Sequence, residues 1–334
     1  MSDKKIRWGI ISTANIGMKQ VIPGIMASEH SVVTAIASRN LASAQAAAKQ
    51  LGIEKAYGSY EAMLADPDID AVYNPLPNHL HVDLTLQAAK AGKHILCEKP
   101  MALDVADAMR LLALPKDILV TEAFMVRHHP QWQRALEIVK SGELGTLRAI
   151  NVVFSYYNDD PNNVRNQADI GGGAILDIGC YAVTAGRYFF QAEPNRIVSL
   201  IDRDPKFQTD RTVSAVADFG NGQHLNFMVS TQLVGSQRVE ILGTKARLEI
   251  VIPFNAPANQ ATALIIDHAI TNDGSLVRKE IIDACDQYTL QAENFALAIL
   301  GKKPLTYSID DAIKSMKILE ALVTSEKTNG WVTI

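Results

Sequence analysis

The sequence predicts an α/β protein, an N-terminal doubly wound parallel sheet followed by a C-terminal α+β domain with a mainly antiparallel open sheet. Three observations carry this expectation. Short apolar strands alternate with helix-length segments over residues 1–123. After Glu122 the pattern changes to consecutive strands joined by Gly-containing turns. A buried-looking strand, Ile95-Leu96-Cys97, stops abruptly at Glu98-Lys99-Pro100. Alternating strands and helices build a parallel sheet, and hairpin-linked strands build an antiparallel one.

The elements follow in order. Arg7–Ile11 reads as a strand and Ile16–Ala27 as a helix that Pro23-Gly24 can kink. Ser31–Ala37 is a strand and Leu41–Leu51 an Ala-rich helix. Ala71–Asn74 is a strand, His79–Ala91 a helix and His94–Cys97 a strand. Asp104–Leu114 is a helix with Asp104 as its N-cap, and Ile118–Thr121 a strand. In the second half, Gln131–Ser141 is helical and Leu147–Tyr156 a strand. Gly171-Gly172-Gly173 leads into a helix over Ala174–Phe190. Ile197–Asp202, Thr212–Phe219, His224–Leu233, Gln237–Leu242 and Ala246–Val251 read as strands, with Asn221-Gly222 and Gly243-Thr244 as hairpin turns. Helices at Tyr288–Leu300 and Ile309–Ser325 close the chain. The expected domains are 1–123 for nucleotide binding and 124–308 for substrate and oligomerisation. The closing helix, about 309–325, is a candidate to pack back on the first domain.

The 334 residues suffice for two cores. A net charge of −4, with no Lys/Arg run, gives no general attraction to nucleic acid or anionic membranes. Three cysteines without metal spacing suit a reducing, cytoplasmic setting rather than a disulfide framework. The polar start, Met1–Lys5, does not read as a signal peptide, and no apolar stretch is long enough to span a bilayer.

A dinucleotide site is expected at the first strand-to-helix turn. The glycine fingerprint G-x-G-x-x-G falls here on Ser12, Ala14 and Gly17, so only its last glycine is present. Ser12, Thr13, Ala14, Asn15 and Ile16 still form a small-residue turn before a helix N-terminus, where free N–H groups favour anions. The second strand ends in Ser38-Arg39, where an NAD-selective site carries a carboxylate. A hydroxyl and a guanidinium suit a 2′-phosphate instead, so NADP is expected over NAD.

The proposed chemistry falls on Lys99, Asp177 and Tyr181. Lys99 ends a strand whose next residue, Pro100, cannot continue the ladder, at the sheet edge where open α/β sheets bind ligands. Asp177 and Tyr181 are spaced i, i+4 on an otherwise apolar helix. A tyrosine is a poor base at neutral pH, and a nearby ammonium favours its phenolate. That set suits proton transfer coupled to hydride transfer, although a structural polar pair would use the same spacing.

On the Ser12–Gly17 turn, Tyr73-Asn74-Pro75-Leu76-Pro77-Asn78-His79-Leu80-His81, Cys97-Glu98-Lys99-Pro100 and Gly171–Tyr181, the chain resembles the glucose–fructose oxidoreductase/myo-inositol dehydrogenase (Gfo/Idh/MocA) family over nearly its whole length. The resemblance implies a Rossmann domain, a C-terminal α+β domain that commonly forms a dimer or tetramer through its sheet, a catalytic Lys99 and a cis peptide before Pro100. Many members carry histidine where this chain has Tyr181. That difference resembles the branch of dimeric dihydrodiol dehydrogenases and NADP-dependent xylose dehydrogenases. By the same resemblance Asn74, Pro75, Leu76, Asn78, His81, Glu98 and Lys99 would line the nicotinamide side. Arg165 is a further cofactor candidate, and Glu122 and Arg127 join Lys99, Asp177 and Tyr181 as substrate candidates. No metal is expected from the adjacent His128 and His129. The expected activity is NADP-dependent hydride transfer to or from a sugar or polyol. Alternatives are a trans-dihydrodiol dehydrogenase or dicarbonyl reductase, and a catalytically silent NADP-binding sensor.

Arg39→Asp should raise the Michaelis constant for NADP far more than that for NAD. Equal effects on both cofactors in steady-state kinetics would remove the assignment of Arg39 to the 2′-phosphate.

Overall fold

The computed structural model describes residues 4–269 and 277–334. Part of the polar start, residues 1–3, lies outside them. The chain divides into two compact units: residues 1–128 with 286–313, and residues 129–285 with 314–334.

The first unit is built on six parallel strands: β1 (Ile6–Ile11), β2 (Ser31–Ala37), β3 (Lys55–Tyr57), β4 (Ala71–Asn74), β5 (His94–Cys97) and β6 (Val120–Glu122). Their order is β3-β2-β1-β4-β5-β6. The chain order therefore reverses between β1 and β4, the place where open α/β sheets leave a crevice at the carboxyl ends of their strands. Local signals set the crossovers. Asn40 accepts a bond from Ser43 N to start the helix Leu41–Leu51, and Gly52, at φ +70°, ends it. Asp104 caps Val105–Met109 by accepting from Asp107 N, and a 3-10 turn continues it to Ala113.

Gly17–Val21 is a π-helical turn that passes directly into the α-helix Ile22–Ala27, with Pro23 just after the junction. Strand β3 and the short helix Tyr60–Leu64 were not anticipated, because three and five residues show no readable period.

The second unit carries nine strands: β7 (Leu147–Tyr157), β8 (Arg196–Arg203), β9 (Asp210–Asp218), β10 (His224–Ser230), β11 (Gln232–Gly243), β12 (Arg247–Ile250), β13 (Thr262–Asp267), β14 (Arg278–Ile282) and β15 (Val332–Thr333). Their order is β14-β13-β12-β11-β7-β10-β9-β8-β15. Only β7 and β10 pair in parallel; the remaining pairs are antiparallel. Asn221 and Gly222, at φ +51° and +72°, make the two-residue turn between β9 and β10. One face of the sheet is apolar. Ile150, Val152, Phe154, Val213, Val239 and Ile241 are buried there, and the helix Cys180–Phe190 packs on β7 and β10.

The division between the units corrects the boundary at 308. The helix Gln287–Ile299 belongs to the first unit, where Ala292, Phe295 and Ala296 enter the core formed by Trp8, Ile10, Val21 and Ile36. The closing helix Ile309–Thr328 lies mostly in the second unit. There Ser325 Oγ accepts from Ser199 N, and Ser315 Oγ accepts from the Arg187 guanidinium. An apolar stripe shows that a helix is buried, and does not show on which sheet. No described helix is long and apolar enough to cross a membrane.

Phe295 is 3% exposed with its ring centroid 5.8 Å from that of Trp8. Phe295→Ala should therefore lower the unfolding free energy by about 3–5 kcal/mol, read from urea denaturation of the first unit's transition.

Candidate active site

The first unit presents a turn, a strand end and a lysine. β1 runs into Ser12, which sits at φ +71°, a left-handed conformation in which a glycine is usual. Ser12 N donates to Ala37 O, and Ser12 Oγ accepts from Ala14 N. These bonds fold Ser12–Ala14 into a tight turn, with Asn15 and Ile16 exposed beside it. The buried Gly17 faces the Tyr73 ring, 3.4 Å from where a Cβ would be. At the end of β2, Ser38 Oγ accepts from Asn40 N, and the exposed Arg39 lies near enough to the Tyr60 phenol to oppose the rise that burial gives its pKa. A small-residue turn before a helix start, with a hydroxyl and guanidinium at the next strand end, fits a phosphorylated dinucleotide.

β4 and β5 end side by side, Asn74 opposite Cys97. Lys99 is half-buried, and its peptide to Pro100 is cis. Glu98 N donates to Asn74 O, and the Glu98 carboxylate accepts from the Tyr73 hydroxyl at 2.7 Å. Burial, then the Glu98 charge, pushes the Tyr73 phenol well above its ordinary range. Tyr288 lies near enough to feel both Glu98 and Lys99. Burial raises its pKa first, Glu98 adds to that, and Lys99 opposes it.

Several of the expected site residues make internal contacts. Asn74 and His81 are fully buried. Asn74 donates to His81 O and accepts from Leu76 N. The His81 ring meets Pro100 O at 2.7 Å and Leu76 O at 2.6 Å. Burial pushes its pKa down, and the two carbonyls push it back up. Both side chains thus tie the Pro75–Asn78 loop to the Lys99-Pro100 segment. Pro75 and Leu76 are also buried, and Asn78 is half-buried. Glu122, 6% exposed, accepts from Met101 N at 2.7 Å. Arg127 is paired with Asp311 between the Phe124 and Tyr307 rings. Both groups make contacts within the first unit.

The second unit assembles a separate polar cluster. The triple glycine opens a π-helical turn, Ile175–Gly179, that continues as the α-helix Cys180–Phe190. Single π-turns inside helices are frequent at functional sites. Asp177 Oδ2 accepts from the Tyr156 hydroxyl on β7 and from Arg165 Nε at 2.9 Å. The Arg165 guanidinium is held charged by Asp177 first, and also interacts with Tyr156 and Tyr181. Tyr181 is 6% exposed, with its ring 5.7 Å from Phe154 and 5.3 Å from Phe254. Asp177, Tyr181 and Arg165 are therefore brought together, whereas Arg165 was expected among the cofactor contacts. Tyr156, Tyr73 and Tyr288 were given no role. Tyr73 stands beside Asn74 on β4, whereas Tyr156 and Tyr288 arrive from a distant strand and helix that no local spacing marks.

The thiols and the histidine pair are engaged within the fold. Cys97 and Cys180 are buried, and burial raises the Cys97 pKa well above the ordinary thiol range. Burial lowers His128 and His129 to about 4. His129 Nδ1 accepts from Gln131 N, and His128 Nδ1 meets the Asn294 amide, so the two rings are separately engaged.

Comparison with known proteins agrees with this geometry. Residues 6–121 match the family model described as an oxidoreductase family with an NAD-binding Rossmann fold. Residues 132–249 match the GFO/IDH/MocA C-terminal domain. The chain is 44% identical to an uncharacterized oxidoreductase of Rhizobium meliloti, over 98% of this chain and 99% of that one. It is 37% identical to a D-xylose 1-dehydrogenase (NADP(+)) of Haloferax volcanii, over 98% and 99% of the two chains. Among solved structures it is similar to a 3-ketoreductase from Actinomadura kijaniata in complex with NADP and TDP-benzene. That match has a TM-score of 0.89 and 29% identity, and covers 96% of this chain and 98% of the other.

Replacing Arg127 by Met should cost about 1–3 kcal/mol of stability, because Asp311 loses its partner. The Michaelis constant for the substrate should stay within about twofold. A large rise in that constant at unchanged stability would return Arg127 to the substrate contacts.

Proposed function

Because the chain belongs to the GFO/IDH/MocA oxidoreductase family, we propose that it is an NADP-dependent dehydrogenase or reductase acting on a sugar or related polyol. The observation that carries the reading is Lys99, held half-buried where β5 ends beside β4 in the first unit. The cluster of Asp177, Arg165, Tyr156 and Tyr181 in the second unit supports it. The Haloferax relative is named for D-xylose and NADP(+), and the Actinomadura structure holds NADP. Both agree with the Ser38-Arg39 pair.

Ser12–Ile16 would hold the pyrophosphate, and Ser38 with Arg39 the 2′-phosphate. NADP bound there would supply or accept a hydride. In the oxidative direction Tyr181 takes the proton from the substrate hydroxyl, and in the reductive direction it returns it. The positive charge of Arg165 beside Tyr181 favours the phenolate, and Lys99 is assigned the hold on the reacting oxygen. Asp177 keeps Arg165 in place and orients Tyr156. The apolar wall of Phe154 and Phe254 keeps water from the Tyr181 ring, which strengthens the electrostatic effect of its charged neighbours.

The test is to incubate the protein with NADP and a panel of aldoses and polyols and follow formation of the reduced cofactor. Turnover of at least one sugar is expected. Tyr181→Phe should lower kcat by about 10²–10⁴-fold. Lys99→Ala should lower kcat with little change in the Michaelis constant for NADP. Undiminished turnover by Tyr181→Phe would remove it as the base. Tight NADP binding without turnover of any sugar would favour a sensor.

A further inference from the structure

We propose that Asp210 is a positioning residue for this reaction: its carboxylate fills the space left by Gly173 and seats the first turn of the segment that carries Asp177 and Tyr181. The inference rests on the reading above for its catalytic consequence, and on the geometry of the second unit for the seat itself.

A helix start leaves backbone N–H groups without intrahelical partners. Ala174, at the start of the π-turn, supplies no side-chain cap. The missing acceptor comes from a different element. Asp210, the first residue of β9, accepts from Ile175 N with Oδ2 at 2.6 Å. It is 8% exposed. A negative group at this end also complements the helix dipole. The triple glycine is shaped to admit it. Gly173 stands at φ +114°, and a Cβ there would lie 2.1 Å from Asp210 Oδ1. At Gly172 a Cβ would lie 2.7 Å from the Arg165 carbonyl oxygen and 2.6 Å from that of Gln167. The glycines thus let one loop close against Arg165 on one side and against Asp210 on the other. Asp177 N then donates to Gly173 O at 3.2 Å. The Asp210 carboxylate thus holds the backbone two residues before Asp177, and Tyr181 follows one helical turn later.

The seat is sensitive to charge. Desolvation raises the Asp210 carboxyl to about 6, opposed by the Ile175 N–H. The charged groups facing it are Arg203 on β8, which favours the carboxylate, and Glu326 on the helix Ile309–Thr328, which disfavours it. These two are ion-paired with each other. Above that pH the bond to Ile175 is charge-assisted; below it the bond is an ordinary neutral one. Activity therefore gains an acid limb that comes from Asp210 and not from the reacting groups.

The experiment compares the full chain with Asp210→Ala and Asp210→Asn. kcat and the Michaelis constants are measured from acid to neutral pH, and amide hydrogen exchange is followed over 175–181. In Asp210→Ala the amides of 175–181 should exchange at least about tenfold faster, because the cap is lost. Its kcat should fall by about 10²-fold, the scale of a misplaced reacting group, with the Michaelis constant for NADP unchanged. Asp210→Asn keeps an acceptor of the same shape. It should retain most of the exchange protection and lose the acid limb. Unchanged exchange over 175–181 in Asp210→Ala, or an acid limb that persists in Asp210→Asn, would overturn the proposal. Wild-type protein that turns over no sugar would overturn the functional reading instead, and exchange would then decide the seat alone.

Discussion

The buried imidazole of His81, set between the carbonyls of Leu76 and Pro100, is the interaction on which the first unit's arrangement depends. It joins the loop after β4 to the segment after β5. Lys99 is the residue between that tie and the strand, so its backbone is held from both sides. A neutral imidazole carries one N–H, so it donates to one of the two carbonyls while its other ring nitrogen lies against the second. Such bonds contribute about 1 kcal/mol each when neutral, and leaving a buried carbonyl without one costs about 1–3 kcal/mol. Asn74 adds a second tie by donating to His81 O. Two side chains, His81 and Asn74, with the carbonyls of Leu76, Pro100 and His81, thus hold the segment of the half-buried Lys99.

The second unit solves a different problem. It places charged and phenolic groups against an apolar sheet face, where an unpaired polar group is costly. Asp177 answers this by taking bonds from Tyr156 and Arg165 together. Arg165 in turn stands in a short helical turn whose carbonyl accepts from Gly173 N. The loop, the triple glycine and the helix start are one hydrogen-bonded unit, and the aromatic rings of Phe154 and Phe254 close over it beside Tyr181. The glycines here are needed by close approach, and a single added carbon would meet a carboxylate or a carbonyl.

Much of this was legible in the chain. The helix Leu41–Leu51 carries its own cap and stop, Asn40 and Gly52, and the strands Ala71–Asn74 and His94–Cys97 are bounded by polar or turn residues. Such local signals act within a few residues, so they survive without tertiary knowledge. Lys99, Asp177 and Tyr181 could be singled out because each stands at a marked place, a strand end before proline or a helix after three glycines. The partners of Arg127 and Glu122 were not legible, because charge near a strand end reads the same whether it faces a ligand or ties a core. Arg127 pairs with Asp311, 184 residues away.

The sequence by itself determined the alternation that makes a parallel sheet, the small-residue turn after β1, and the identity of the polar groups available for chemistry. These depend on local periodicity, capping and turn preferences, which are properties of short segments. The tertiary structure decided the partners. It sent the helix Gln287–Ile299 back to the core around Trp8, turned His81 into a tie, and set Arg165 on Asp177. It also brought Asp210 to Ile175 from 35 residues away. Hydrogen bonds and packing act over a few ångströms in space, and a single chain does not state which distant residues will share that space.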